Sequence, residues 1–361
     1  MAFYISIYVL VFTSFVISGI EATLLLGQPD VSCFFIFGDS LFDNGNNNNH
    51  NTTSKANYPP YGIDFPHGPT GRFTNGRTIA DILAEFLGFE NYIPPFAIAK
   101  EEEVIKGVNY ASGAAGILDE SGKNLGDRLP LNKQLQNHQT TISRLETLLP
   151  NKTSVKEHLN KCLYIVGIGN NDYLNNYFTP EFFPTSKLYT PHQYAQVLIQ
   201  QYSQQLNRIY ELGARKVAVF GLGPIGCTPA SIKVYGRNGI KCVEFMNDAV
   251  QLFNEKLKSL VDEFNAKFHD AKFTYINIFN ILSAAPAALG LRILNQPCCI
   301  DSTTKGHCTP NLLPCPIRIL NVFWDTLHPS EVSNLFAAKR AYNSILPSDA
   351  YPLNIHHLAM Y

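Results

Sequence analysis

Short apolar runs, each too brief for a helix and each separated from the next by a long stretch of helical spacing, constrain this fold more than any other feature of the sequence. Cys33–Phe37, Leu163–Gly167, Lys216–Phe220 and Phe273–Ile278 have the length and apolar character of buried strands. Between them, Thr78–Leu87, Leu131–Leu149, Tyr194–Leu212 and Glu244–Phe268 repeat apolar residues at helical intervals. Strand and helix in alternation imply βα crossovers, and hence a mainly parallel sheet with helices on both faces, an α/β fold. The chain has 361 residues, 45% of them apolar, and no Pro/Ser-rich linker divides it. One large core is therefore expected, in a single domain spanning 23–361.

The first run ends in a feature with chemical meaning. Phe34–Asn49 reads FFIFGDSLFDNGNNNN, so Gly38 and Asp39 stop the strand and Ser40 follows in a Gly/Asn-rich turn. Ligands of open α/β sheets bind at the carboxyl ends of the strands, which puts the Ser40 hydroxyl at the binding edge. Ordinary turn and N-cap chemistry accounts for the same residues, so this block alone does not decide the matter. The Asn44–Asn49 run reads as a polar loop beside the site.

A hydroxyl becomes a good nucleophile only when a base takes its proton, and an imidazole serves best when a carboxylate orients it. Near the far end, Phe323–Pro329 reads FWDTLHP, with Asp325 three residues before His328. At that spacing the carboxylate reaches Nδ1 of the ring and leaves Nε2 for Ser40. A helix entry at Pro329 and Ser330 explains the pair equally well when it is taken alone.

Ester hydrolysis passes through a tetrahedral anion that needs fixed hydrogen-bond donors. Two loops between these ends offer them. Asn109–Ile117, NYASGAAGI, presents Gly113 among small residues, and Tyr164–Tyr173, YIVGIGNNDY, leads from a strand into Asn170, Asn171 and Asp172, with Asn171 as the side-chain donor.

Taken together, the four blocks resemble the GDSL-type branch of the SGNH hydrolase superfamily, in particular its secreted plant esterase/lipase members. The likeness runs from Cys33 to about Leu346 and includes GRFTNGRTIADILAEFLG at Gly71–Gly88 and GARKVAVFGLGPIGCTP at Gly213–Pro229. The resemblance implies a three-layer α/β/α sandwich and a serine hydrolase without metal or cofactor, acting on small-molecule or polymer esters. Ser40 would be the nucleophile, with Asp325 and His328 completing the triad. Ser40 N–H, Gly113 N–H and the Asn171 amide would form the oxyanion hole. An acyltransferase using the same acyl-enzyme is the alternative, and a non-catalytic binding protein is a third reading, disfavoured by the complete triad.

Other classes are excluded by what the sequence lacks. Ser40 has no G-x-S-x-G elbow around it. GLGPIG at Gly221–Gly226 mimics a dinucleotide fingerprint, but Pro224 lies inside it and no helix pattern opens there, so a loop at a strand end is expected. A net charge of −1 with scattered Lys and Arg argues against nucleic acid.

Met1–Ala22 is apolar over too short a span for a membrane helix and reads as a signal peptide, with Ser18, Gly19 and Ala22 as cleavage sites. The expected destination is the cell exterior, with the vacuole as the alternative, and no membrane-spanning segment follows. Eight cysteines agree with an oxidising compartment. Cys227 and Cys242 flank one Gly-rich loop, and Cys298 and Cys299, adjacent in the chain, are expected to pair across to Cys308 and Cys315. A zinc site with His307 is the competing reading for that segment, though its spacing fits no common zinc pattern. Cys33 and Cys162 read as inert core thiols. Sequons place glycosylation at Asn51 and Asn151. His356 and His357 read as solvated residues of a polar tail.

Overall fold

The computed structural model describes residues 31–237, 240–291, 293–301 and 306–361, so the expected signal segment Met1–Ala22 lies outside the described residues. Strands β1 (Phe34–Gly38), β2 (Leu163–Gly167), β3 (Lys216–Phe220) and β4 (Lys272–Ile276) lie side by side in that order, all parallel. A separate parallel pair, β5 (Ile293–Pro297) with β6 (Asn321–Phe323), stands apart, and β7 (Ala350–Tyr351) closes the main sheet antiparallel to β4.

Alternation along each strand splits the core in two. Phe35, Phe37, Tyr164, Val166, Val217, Val219, Phe273 and Tyr275 point to one face. Helices α1 (Ile79–Phe86), α2 (Leu131–Leu148), α3 (Lys152–Lys161), α4 (Pro191–Glu211), α5 (Pro229–Tyr235), α6 (Glu244–Lys267), α7 (Ile278–Ala288), α8 (Glu331–Asn343) and α9 (Ile355–Ala359) supply the outer layers. Helices α2, α4 and α6 cover the first face through residues such as Leu145, Leu198 and Phe253. Phe34, Ile36, Leu163, Ile165, Ala218, Phe220 and Ile276 point the other way, against Ile82 of α1, Ile281 of α7, Ala337 of α8 and Ile355 of α9. This is the expected three-layer α/β/α sandwich. Among the described residues no helix is long and apolar enough to cross a membrane.

Local chemistry sets the element ends. Thr78 caps α1 in a capping box with Asp81. Thr190 does the same for α4 with Gln193, and Pro191 opens that helix three residues before the expected Tyr194. The fourth strand stops at Ile276 rather than Ile278, because the Asn277 side chain caps α7. The final residues are no solvated tail: Asn354 caps α9, Ile355 and Leu358 are buried in the second core, and His356 packs on Tyr342 at 5.2 Å, while His357 stays exposed.

Four disulfides join the eight cysteines. Cys227 is bonded to Cys242, and Cys298 and Cys299 pair across as expected, the structure giving the connectivity Cys298–Cys315 and Cys299–Cys308; with their sulfurs bonded to one another the zinc alternative beside His307 loses its thiolates. Cys33–Cys162 overturns the reading of inert thiols. The register Phe34↔Leu163 places the residues just before the two strands side by side, with Cα atoms 4.5 Å apart, inside the span a disulfide needs.

Candidate active site

The parallel pairing of β1 with β2 continues to Gly38↔Gly167, so both strands deliver their following turns to the same edge of the sheet. Gly38 is required there: a Cβ on it would lie 2.8 Å from the Gly167 carbonyl oxygen and 3.0 Å from the Phe42 ring. The Gln134 side chain clamps it from α2, accepting from Gly38 N–H at 3.0 Å and donating to the Gly38 carbonyl at 2.8 Å. Ser40 follows directly. Its Oγ lies 2.7 Å from Nε2 of His328.

The opposing turn begins where β6 ends. The Asp325 carboxylate accepts Leu327 N–H at 2.8 Å and His328 N–H at 2.7 Å, which folds the chain back so that its oxygens reach His328 Nδ1 at 2.7 and 2.9 Å. Asp325 is fully buried and His328 nearly so. Phe73 packs against the imidazole with ring centroids 4.9 Å apart. Burial pushes the Asp325 carboxyl up, but His328 beside it, His307 and the hydrogen bond from Tyr61 together hold it below the ordinary carboxylate value. The arrangement is an ionised carboxylate, an oriented imidazole and a hydroxyl in hydrogen-bond contact, the geometry that nucleophilic acyl transfer needs.

The expected oxyanion donors separate. Asn171 lines the cavity in front of Ser40. Its amide is held in orientation by a bond to the Ala115 carbonyl at 2.9 Å and by Asn175, which donates to its Oδ1 at 2.7 Å; one amide N–H remains for a ligand. Among the described residues nothing accepts the Ser40 N–H. Gly113 differs from expectation. Its N–H donates to Asp43 Oδ2 at 2.9 Å, and the residue does not reach the cavity wall. That donor is thus already engaged, and Gly113 leaves no room for a side chain against Phe73, Ser54 and Asn47.

The asparagine run is likewise more than a polar loop. Asn44, Asn46 and Asn47 are buried, and their amides donate to backbone carbonyls: Asn44 to Ile93, Asn46 to Asn109 and Ala111, Asn47 to Ser54 and Gly113. Asn47 also accepts from Ser112 Oγ at 2.5 Å. Amides carry both donors and acceptors, so they can replace missing ladder partners for an irregular segment that is nonetheless buried. The second block itself runs beside β1, with Tyr110 N–H donating to the Ile36 carbonyl at 2.7 Å and Ser112 N–H to that of Gly38 at 3.1 Å.

Other contacts of the site join segments far apart in the chain. Asp39 Oδ2 accepts from the Asn170 amide at 3.2 Å, and Asn170 Oδ1 accepts from Gly223 N–H at 3.3 Å, tying three strand ends together. Burial pushes the Asp39 carboxyl up to about 6 against the lowering effect of Leu41 N–H, Asn170 and His328. Tyr61 donates to Asp325 across 264 positions of chain. The GLGPIG loop, expected at a strand end and found there, contributes Gly223, Pro224 and Ile225 to the cavity wall.

In front of Ser40 and His328 opens a cavity of about 450 Å³ lined mainly by apolar groups, among them Leu41, Leu174, Phe279, Leu282 and Val322. Asn51 and Asn151 both lie exposed, away from this cavity wall, the latter capping α3 with its side-chain oxygen. Among the described residues the one grouping of potential metal ligands is Cys33, His158 and Cys162, whose two sulfurs are bonded to each other.

The family model for the GDSL-like lipase/acylhydrolases matches residues 34–341, and the chain belongs to that family. It is an ester-hydrolysing enzyme. Among its relatives, the Arabidopsis thaliana protein GDSL esterase/lipase At1g29670 is 48% identical over 346 residues, covering 94% of this chain and 95% of that protein. GDSL esterase/lipase At4g18970 of the same plant is 46% identical over 341 residues, covering 93% and 94%. Among solved structures, phospholipase A1 from Streptomyces albidoflavus NA297 is matched with a TM-score of 0.35 and 15% identity, over 84% of this chain and 94% of that one.

Proposed function

We propose that the enzyme cleaves carboxylic esters through an acyl-enzyme on Ser40. One observation carries this reading: His328 Nε2 stands 2.7 Å from Ser40 Oγ while the Asp325 carboxylate holds Nδ1 at 2.7 Å. As Oγ adds to the ester carbonyl carbon, its proton passes to Nε2, and the carbonyl π electrons move to oxygen. Ser40 N–H and the free Asn171 amide N–H bind that oxyanion. The intermediate then collapses, and the alcohol leaves with the proton from Nε2. Water, deprotonated by the same nitrogen, adds to the acyl carbon, and a second collapse releases the acid and restores Ser40. Asp325 remains ionised throughout and stabilises the imidazolium formed in each half.

The apolar cavity suits the acyl part of the substrate, whose burial supplies about 0.8 kcal/mol per methylene. Four disulfides support an oxidising destination, the cell exterior or the vacuole, with sugars on Asn51 and Asn151. The test is labelling by a fluorophosphonate together with an ester panel of graded acyl length. Labelling should vanish in Ser40→Ala and fall sharply in His328→Ala. Folded wild-type protein that is neither labelled nor active on any ester at neutral pH would overturn the proposal.

A further inference from the structure

We infer that Tyr61 is a positioning residue of this site, holding the Asp325 carboxylate in place through its phenolic hydroxyl. The inference rests on the Ser40 mechanism proposed above. Tyr61 is 1% exposed, and its Oη lies 2.6 Å from Asp325 Oδ2, as close as a hydroxyl approaches a carboxylate. Leu327 and His328 N–H groups saturate Oδ1, so Tyr61 and the imidazole are the donors at Oδ2. Without Tyr61 a fully buried oxygen would keep only the ring as partner, with no solvent to replace the hydroxyl.

The hydroxyl is itself fixed. It accepts Cys308 N–H at 3.2 Å, and Cys308 is bonded to Cys299, whose own N–H donates to the carbonyl of Trp324, the neighbour of Asp325, at 2.9 Å. Tyr58 packs edge-on against Tyr61 at 5.3 Å and donates to the Cys308 carbonyl at 3.0 Å. The disulfide segment and the loop following β1 thus converge on one carboxylate. Burial first, and then the charge of Asp325, hold the Tyr61 phenol well above its ordinary value, so it stays a donor at every working pH.

Other titratable groups face this carboxylate or its neighbours. His328 faces it from its own turn, His307 from the disulfide segment, and Tyr61 and Tyr58 from the loop after β1. Asp39 faces His328, and Asp301 faces Tyr58. Removing the Tyr61 hydroxyl raises the carboxyl toward the value its burial favours and makes the carboxylate a stronger partner for the imidazolium. Both effects move the loss of activity on acidification to higher pH.

The experiment compares Tyr61→Phe with Tyr342→Phe in the full chain, by steady-state ester kinetics across pH, fluorophosphonate labelling rate and thermal unfolding. Tyr61→Phe should lower kcat and the labelling rate about tenfold with KM within about twofold, the scale of one hydrogen bond to a charged group. Its acid limb should shift upward by roughly half a pH unit or more. Tyr342→Phe removes a tyrosine hydroxyl that donates to the Phe86 carbonyl at 3.0 Å, outside the cavity wall and with no bond to Asp325, and should keep activity within about twofold and the wild-type pH profile. Equal losses in the two variants, or a Tyr61→Phe profile matching wild type, would overturn the inference even if wild type is fully active. An inactive, unlabelled wild type would instead overturn the mechanism on which it rests.

Discussion

The Cys33–Cys162 bridge allows a quantitative test of how the two site-bearing strands are held together. Replacing both cysteines by alanine releases a loop with a sequence separation of 129, against 15 for Cys227–Cys242. The remaining bridges all lie beyond residue 162, so none shortens the longer loop in the unfolded chain. Loop-closure entropy then assigns about 5 kcal/mol to Cys33–Cys162 and about 3 kcal/mol to Cys227–Cys242. With an unfolding entropy of about 2.1 cal/mol/K per residue, those losses lower Tm by roughly 7 °C and roughly 4 °C for a domain of this size. Both double-alanine variants should be unfolded thermally and in guanidinium, with non-reducing peptide mapping of wild type as the control for pairing. At 25 °C the catalytic turn should survive, because the bridge ties the starts of β1 and β2 while Ser40 follows the opposite end. Equal destabilisation by the two variants, or a smaller effect from the longer loop, would refute the entropic reasoning. Free thiols at Cys33 and Cys162 in wild-type material would refute the bridge itself.

Asn171→Ala should lower kcat by about 10²–10³ with little change in KM, as loss of one oxyanion donor does, and a fall expressed wholly in KM would make it a ground-state binding residue. Asp39 supplies a pH prediction. Its folded-state value of about 6 lies above the ordinary carboxyl value of 3.8, so its stabilising contribution is fully present below pH 4 and is lost as pH rises through about 6. Asp39→Asn should therefore flatten the decline of guanidinium stability between pH 4 and 6 by up to about 3 kcal/mol, and an unchanged slope would show that this carboxyl titrates normally.

The sheet and the reacting groups were legible because each is announced within a few consecutive residues. An apolar run such as Phe34–Phe37 declares a buried strand through its own composition, and alternation alone divides Phe35 and Phe37 from Phe34 and Ile36. Ser40 at a strand end and Asp325 three residues before His328 are likewise local patterns, and the turn that makes the Asp–His pair is built from its own N–H groups. What the chain alone left open is whatever depends on distant segments meeting. Cys33 and Cys162 look like core thiols until the register of β1 on β2 sets them side by side. Tyr61 is one aromatic among 18 tyrosines until the disulfide segment carries Asp325 to its hydroxyl. Gly113 has the small-residue setting of an oxyanion donor, but packing brings the Asp43 carboxylate to its N–H first, and the asparagine run, polar by composition, is buried because irregular backbone beside the site needs its amides as hydrogen-bond partners. Backbone preference and hydrophobic period act over a few residues and are written in the sequence, whereas the partner of a buried polar group is chosen only when packing excludes water and leaves the nearest donor or acceptor to take its place.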